Sequence, residues 1–140
     1  MSTIEETIDV EAPVSKAYAQ WTQFEQFPHF MDGVKEVRRI DDRRLHWVAE
    51  VAGKSEEWDA EITEQRRDER VSWKSTSGKQ NGGAVSFERL GETTTRVRLA
   101  MEWEPDGMVE KAGSALGLDN HRVKGDLDRF KTLVESETTL

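Results

Sequence analysis

Three side chains of this sequence could move protons in a reaction, and they lie far apart along the chain: Glu6, Arg89 and His121. Glu6 occupies an inward position of an alternating apolar segment, where a carboxyl could act as a general acid or base. Arg89 continues the alternation of a later segment. His121 belongs to the last helical segment, where an imidazole that titrates near neutral pH suits proton transfer. Each has a surface alternative, because a strand end, a bulge or the solvent face of the helix could expose it. The three are weak catalytic candidates.

The sequence gives little support for a catalytic nucleophile, a metal site or a reactive thiol. Ser75 shares the inward side of a segment with Trp73 and could hydrogen-bond a ligand carbonyl, but a serine nucleophile needs a positioned base and none is evident. Alternatively, Ser75 is a small residue that leaves room beside the indole. The three histidines, His29, His46 and His121, match no metal-ligand spacing, and the chain has no cysteine. We therefore expect no metal and no cofactor.

The glycine-rich segment Gly78 to Gly83 superficially suggests a phosphate-binding loop. It lacks the required order of glycines followed by Gly-Lys-Ser/Thr, and no helix follows it. The pattern predicts a hairpin loop instead. Together with Pro28 to Gly33, this loop could act as a lid over a binding site.

Composition and charge restrict the possible partners. The chain has 140 residues, which predicts one domain over residues 1–135 and a flexible tail at 136–140. The net charge of −8 is spread along the chain, so nucleic acid is an improbable partner, and no apolar run is long enough to span a membrane. The first residues do not resemble a secretory signal, which predicts a cytoplasmic protein. A monomer or a homodimer is expected.

Hydrophobic periodicity predicts an α+β fold. An extended segment over residues 3–10 is followed by two short helical stripes, the first with Ser15 as a possible cap and the second interrupted by Pro28. The period then becomes two, and six strands are predicted at 34–40, 45–51, 56–62, 71–77, 85–90 and 97–103. A last helical stripe begins near residue 109, could be bent near 117–119, and is continuous over 122–135. A strongly curved antiparallel sheet of about seven strands that grips this long helix, with a cavity between them, buries all these apolar faces.

Four of the five tryptophans fall on the apolar side of four different predicted strands. Large aromatic side chains on one concave face suit a ligand pocket as well as a packed core. The predicted ligand-binding residues are Trp21, Phe24, Phe27, Phe30, Met31, Trp47, Trp58, Trp73, Ser75, Phe87, Met101, Trp103 and Leu116. The alternative for each of them is that it simply fills the core.

Several motifs resemble the START-like superfamily, and within it the polyketide cyclase/dehydrase and coenzyme Q-binding group. They are Ile8 to Pro13 with Val14 and Tyr18, Trp21 to Met31 (WTQFEQFPHFM), Leu45 to Trp47, Glu57 to Ile62, Asp68 to Trp73, and Gly125 to Leu127 with Phe130. The resemblance covers nearly the whole chain. It implies the helix-grip fold, in which the curved sheet and the last helix enclose a cavity.

The resemblance implies several functions, because members of the superfamily include lipid carriers, quinone-binding proteins, aromatase/cyclases and hormone receptors. Aromatase/cyclases place polar residues, typically including an arginine, inside the cavity, whereas the inward positions of the middle strands here are mostly apolar. We therefore predict a carrier or sequestering module for a hydrophobic, polycyclic or isoprenoid molecule. A polyketide cyclase/dehydrase that acts on a poly-β-ketone chain is the alternative, and a scaffold that works through its surface is a third interpretation.

Overall fold

The computed structural model describes residues 2–31, 33–51, 53–77, 80–103 and 120–138. Its elements in chain order are β1 (Ser2–Val10), α1 (Val14–Trp21), a 3-10 helix (Phe24–His29), β2 (Val34–Arg39), β3 (Arg44–Val51), β4 (Lys54–Arg66), β5 (Arg70–Ser75), β6 (Asn81–Arg89), β7 (Thr95–Trp103) and α2 (Asn120–Thr138).

The seven strands form one curved antiparallel sheet in the order β1-β7-β6-β5-β4-β3-β2. Consecutive strands from β2 to β7 are neighbours, as the regular spacing of turn residues predicts, and β1 closes the series against β7. The 3-10 helix and α1 lie between β1 and β2 in the chain, and α2 packs against β1 and α1. The predicted helix-grip architecture is confirmed.

The core lies on the inner face of the sheet. Valines occupy central positions of three adjacent strands: Val71 of β5 pairs with Val85 of β6, while Val97 lies on β7, and all three are fully buried. β-Branched side chains suit this half-buried pleated surface. Helix α2 covers the face with Val123, Leu127, Phe130 and Val134, the four residues of its apolar stripe that are buried.

The glycine-rich connection is shorter than predicted, because Gly82 and Gly83 belong to β6. Gly83 pairs with Trp73 on one side and with Met101 on the other. A Cβ atom at Gly83 would lie 2.6 Å from Cζ2 of Trp73, so this glycine allows the indole to approach the backbone. A glycine that typically indicates a loop thus serves packing inside a strand, while Gly78 and Lys79 lie outside the described residues.

Two helix ends differ from the prediction. Helix α1 begins after Pro13 and has no side-chain cap, so Ser15 does not cap it; instead the Pro13 carbonyl accepts hydrogen bonds from the backbone N–H groups of Lys16 and Ala17, both at 3.0 Å. Helix α2 extends to Thr138, beyond residue 135, where the sequence predicts the tail to begin. Residues 136–138 are all polar, and a polar terminal turn carries no apolar periodicity that would reveal it.

None of the helices within the described residues has the length and apolar character needed to cross a membrane.

Candidate functional site

A small cavity lies between the inner face of the sheet and α2. Its volume is about 50 Å³. Strands of the sheet contribute Trp47, Ala49, Trp58, Asn81, Leu99 and Met101. Met31 and Val34 come from the connection before β2 and from its start, and α2 contributes Arg122, Val123 and Asp126. The cavity therefore occupies the place that the sequence predicts for a ligand.

Stacked indoles form one wall of this cavity. Trp47 of β3 and Trp58 of β4 pair directly across the two strands, with ring centroids 5.8 Å apart and planes inclined by 13°. Trp73 of β5 continues the stack, with its ring 6.4 Å from that of Trp47 at 24°, but it is not one of the residues that line the cavity. Trp47 is 4% exposed and Trp58 is 8% exposed. Period-two alternation on adjacent antiparallel strands brings these rings together, as the sequence predicts.

The cavity is small for a site that holds a whole organic ligand. Typical ligand pockets measure about 300–1,000 Å³. Two of the lining residues, Met31 and Met101, have unbranched side chains that can adopt other rotamers at low cost. These two methionines are the part of the wall that can give way when a ligand enters.

The predicted ligand residues of α1 and the 3-10 helix lie in the core instead. Trp21, Phe27 and Phe30, together with Phe130 of α2, form an aromatic cluster with centroid distances of 5.0 to 5.7 Å, and Trp47 joins it through Phe27. None of the four members of the cluster belongs to the cavity lining. The cluster closes one end of the space between sheet and helix.

The remaining predicted residues take other positions. Phe24 packs edge to face against the cluster residue Phe27, and Phe87 contacts the Tyr18 ring of α1. Trp103 pairs with Ser2 at the end of β7, but its side chain lies outside the described residues, and so does the whole of Leu116.

Asn81 is a lining residue that sequence reasoning missed. It is 6% exposed, at the first position of β6, and its backbone N–H donates a hydrogen bond to Ser75 Oγ at 3.0 Å. Ser75 itself is not part of the lining, because its hydroxyl closes the connection between β5 and β6. A polar residue among glycines indicates a loop, so only the strand pairing reveals that Asn81 faces inward.

The polar side of the cavity is an ion-pair network on α2, here called the Asp126 clasp: Arg122, Asp126 and Arg129. Asp126 Oδ1 lies 2.5 Å from a terminal nitrogen of Arg129, and Asp126 Oδ2 lies 3.9 Å from Arg122 Nε. Arg129 Nε also donates a hydrogen bond to the Phe30 carbonyl at 3.0 Å. The guanidinium of Arg122 lies against Gly33, so that a Cβ there would be 2.6 Å from it. The clasp holds the connection before β2 against α2.

The sequence carries a signal for this clasp. Arg122 and Asp126 are four residues apart, next to Val123 and Leu127 of the apolar stripe, so they lie at the edge of the buried face of α2. Such a pair usually indicates a solvent-exposed face. Here the side chains are only 16% and 11% exposed.

The two catalytic candidates whose side chains the structure describes, Glu6 and Arg89, are not lining residues of the cavity. Glu6 is half-buried on the inner face of β1, opposite Leu99, and is not a lining residue. Arg89 is exposed, although the pairing of β6 with β7 runs unbroken through it; the strand end exposes it, and the alternative bulge is absent there. The side chain of His121 lies outside the described residues.

On the outer face of the sheet, His46 of β3 bridges two carboxylates of β4. Its Nδ1 lies 2.7 Å from Asp59 Oδ1 and its Nε2 lies 2.8 Å from Glu57 Oε1. The hydrogen bond to Asp59, followed by that to Glu57, raises the pKa of His46 above its usual 6.5, against the opposing effects of burial and of Arg38 on β2. His46 pairs with Asp59 next to the Trp47–Trp58 pair, so this bridge supports the strands behind the indole stack.

We expect the His46 bridge to make stability depend on pH. A histidine whose pKa is raised in the folded protein contributes stability that is complete below the unfolded pKa, near 6.5, and is lost as the pH rises through the folded value. Urea unfolding at a series of pH values from 6 upward should show the stability difference between wild type and His46→Gln shrinking as the pH rises. In the background Glu57→Gln/Asp59→Asn the difference should not change with pH. A difference that grows with pH would contradict the assignment.

A curved antiparallel sheet that grips a terminal helix around an indole-walled cavity defines a START-like protein. The family model for polyketide cyclase/dehydrase and lipid transport matches residues 10–132, and the chain belongs to this family. A relative from Streptomyces lincolnensis, an uncharacterised 17.2 kDa protein, is 48% identical over 136 residues, which are 96% of this chain and 91% of the relative.

Solved structures show the same fold. A Deinococcus radiodurans protein superposes with a TM-score of 0.76 at 25% identity, covering 99% of this chain and all of that one. A START superfamily protein from Mycobacterium smegmatis gives 0.75 at 17% identity, covering 96% of this chain and 97% of that one. The Zhui aromatase/cyclase of a Streptomyces species gives 0.79 at 13% identity, covering 98% and 95%. The START-like prediction is confirmed, while the coenzyme Q-binding group stays a prediction.

Proposed function

We propose that the protein binds an apolar, ring-containing small molecule between the sheet and α2, as a carrier or a sequestering protein. The stacked pair Trp47–Trp58 in the cavity wall is the observation that supports this function most directly. Flat aromatic faces favour flat apolar partners, and Leu99, Met101 and Val123 complete an apolar surround. Membership of a family that includes lipid transport agrees with this proposal.

Ligand entry requires the small cavity to expand. Met31 lies on the connection before β2 and Met101 lies on β7, so two different segments of the wall carry a methionine. Rotation of these side chains adds space without breaking a backbone hydrogen bond. The ligand then replaces methionine contacts with the indoles, and the net apolar burial drives binding.

The neutral fluorescent probe N-phenyl-1-naphthylamine tests the proposal. We expect its emission to rise on binding and to saturate at one probe per chain. Ala49→Val should weaken the affinity by about tenfold or more, because two added methyl groups fill space that the probe needs. A fluorescence titration gives both dissociation constants, and native mass spectrometry of freshly purified protein gives the mass of any ligand retained from the cell.

Ala100→Val is the matched control for Ala49→Val. Ala100 is not a lining residue of the cavity, because alternation along β7 turns its side chain to the face opposite Leu99 and Met101, and valine suits a strand at either place. The control should bind the probe as wild type does. Equal weakening by both variants, or no probe binding by wild type, would contradict the proposed site.

A polyketide cyclase/dehydrase is the second candidate. The Asp126 carboxylate and the Asn81 amide lie in the wall of the same cavity, and aromatase/cyclases have the same fold. In such a reaction a base removes a proton between two ketones, and the carbanion attacks another carbonyl to give an alkoxide, which takes a proton back from the protonated base. Loss of a second proton from the same carbon, together with the hydroxyl group, then releases water. Asp126 is the residue of the described lining that could take this proton.

The cytoplasmic location and a monomeric or homodimeric state stay predictions.

A further inference from the structure

Two uncharged donors of the lining residues lack hydrogen-bond partners within the described part of the chain. They are the indole N–H groups of Trp47 and Trp58, each with its nitrogen fully buried. Buried donors almost always have an acceptor, because an unmade hydrogen bond keeps the whole cost of removing the donor from water. Two such donors on directly paired residues of one cavity wall need a physical explanation.

The stacked partner ring does not provide it, and the Phe27 ring beside Trp47 is inclined by 45°, which is not the edge-to-face geometry. The planes of Trp47 and Trp58 differ by 13°, so the N–H of each points along the plane of the stack and not at the face of the other ring. The indole N–H of Trp21 also lacks a partner, but that ring meets Phe27 and Phe130 edge to face, the geometry in which an N–H can lie over a ring. The Trp21 donor therefore has a local explanation and lies outside the cavity lining.

We propose that Trp47 and Trp58 donate hydrogen bonds to a carbonyl oxygen of the bound ring compound. This inference rests on the proposed binding function and adds the chemistry of the ligand's polar end. An indole N–H is only a donor, so the missing partner must be an acceptor. The donors are uncharged, which suits the oxygen of an uncharged ketone, and one carbonyl oxygen has two lone pairs with which to accept both.

The dimensions of the site agree with this assignment. The ring centroids are 5.8 Å apart, and the lining encloses about 50 Å³, enough for a carbonyl group but not for a ring system. Because the two indole nitrogens are fully buried, displacement of Met31 and Met101 both makes room for the rings and opens the space in which the ligand's oxygen meets the two N–H groups. Polar recognition therefore comes from the sheet, and adaptation to the ligand's size comes from the methionines.

Fluorene and 9-fluorenone test the inference, since they share a ring system and differ by one carbonyl oxygen. Equilibrium dialysis should show fluorenone binding about 2- to 12-fold more tightly than fluorene, the worth of a net hydrogen bond. Trp58→Phe and Trp47→Phe should bring this ratio towards one; the ratio is the readout because loss of ring area affects both probes alike. Trp21→Phe is the matched control, since it also removes one buried indole N–H but outside the cavity lining, and it should keep the ratio.

Infrared spectroscopy of bound fluorenone gives a second measurement that needs no variant. The carbonyl stretch should lie at lower wavenumber in the wild-type complex than in an apolar solvent, because a hydrogen bond weakens the C=O bond. Equal affinity for both probes, with an unshifted stretch, would overturn the inference and leave the proposed function standing. Failure of either probe to bind would overturn the proposed function and this inference with it.

Discussion

Replacing Phe130 by alanine should lower the free energy of unfolding by about 3–5 kcal/mol, a typical loss for a fully buried phenylalanine. Phe130 is 0% exposed and connects α2 to the aromatic cluster. Its ring lies 5.0 Å from that of Trp21 and 5.3 Å from that of Phe30. The alanine variant loses these ring contacts and leaves a cavity between rigid neighbours that cannot close it. Denaturant unfolding followed by tryptophan fluorescence measures the loss.

Leu133→Ala is the control on the same helix. Leu133 packs against the core but is only partly buried, so removal of its side chain costs less transfer free energy and opens no closed cavity. The loss for Leu133→Ala should be well below that for Phe130→Ala. Similar losses would show that the aromatic cluster is not the main connection between α2 and the rest of the fold.

The fold could be predicted from local sequence pattern, because apolar residues alternate along the strands and so mark the inner face of the sheet. Val71, Val85 and Val97 each stand at an inward position of an alternating segment, and each is fully buried. The apolar stripe of α2 follows the helical period equally closely. Such patterns depend only on residues near one another in the chain, which is why the element order, the curved sheet and the gripped helix are all evident from the sequence.

The composition of the site depends on contacts between distant segments, and local pattern does not reveal these. Asn81 stands between Gln80 and Gly82 in the sequence and looks like part of a turn, yet its pairing with Trp103 places it in β6. Arg122 and Asp126 look like an exposed helix pair until the connection before β2 covers them. Four of the predicted ligand residues, Met31, Trp47, Trp58 and Met101, line the cavity, whereas none of its polar residues was predicted.

The motif from Trp21 to Met31 also shows that local pattern does not reveal contacts between distant segments. Its aromatic residues suggest pocket lining, but a helical stripe does not say which surface it meets. In the structure Trp21 and Phe30 meet Phe130 of α2, so most of the motif packs the core, and only Met31 reaches the cavity. The strongest family motif thus defines the fold, and the indoles of the sheet define the site.

Asp126→Asn should destabilise the protein by about 2–4 kcal/mol, because removal of one member of a buried ion pair leaves its partner's charge without compensation. The side chains of Asp126 and Arg122 are 11% and 16% exposed. This loss of stability is smaller than the loss expected for a fully buried ion pair, because Arg129, the other partner of Asp126, is 47% exposed and can turn to solvent. Urea unfolding at neutral pH measures the change.

Asp9→Asn provides the matched control. Asp9 also pairs with an arginine, Arg96, through two hydrogen bonds of 2.9 and 3.3 Å, but this pair lies on the exposed outer face of β1 and β7. Water and salt screen exposed pairs, so the same substitution should have a much smaller effect there. Equal effects at the two sites would contradict the assignment of the Asp126 clasp as a buried structural element.

The same variant distinguishes a structural carboxylate from a catalytic one. If Asp126 removes the proton that starts cyclisation of a poly-β-ketone chain, Asp126→Asn should slow that reaction by about 100-fold or more under conditions in which both proteins are fully folded. Chromatography and mass spectrometry of a synthetic poly-β-ketone thioester incubated with each protein give the two rates. A wild-type rate equal to that in buffer would contradict the cyclase candidate. It would leave Asp126 as the residue that holds the connection before β2 against α2 and so keeps the indole-walled cavity closed.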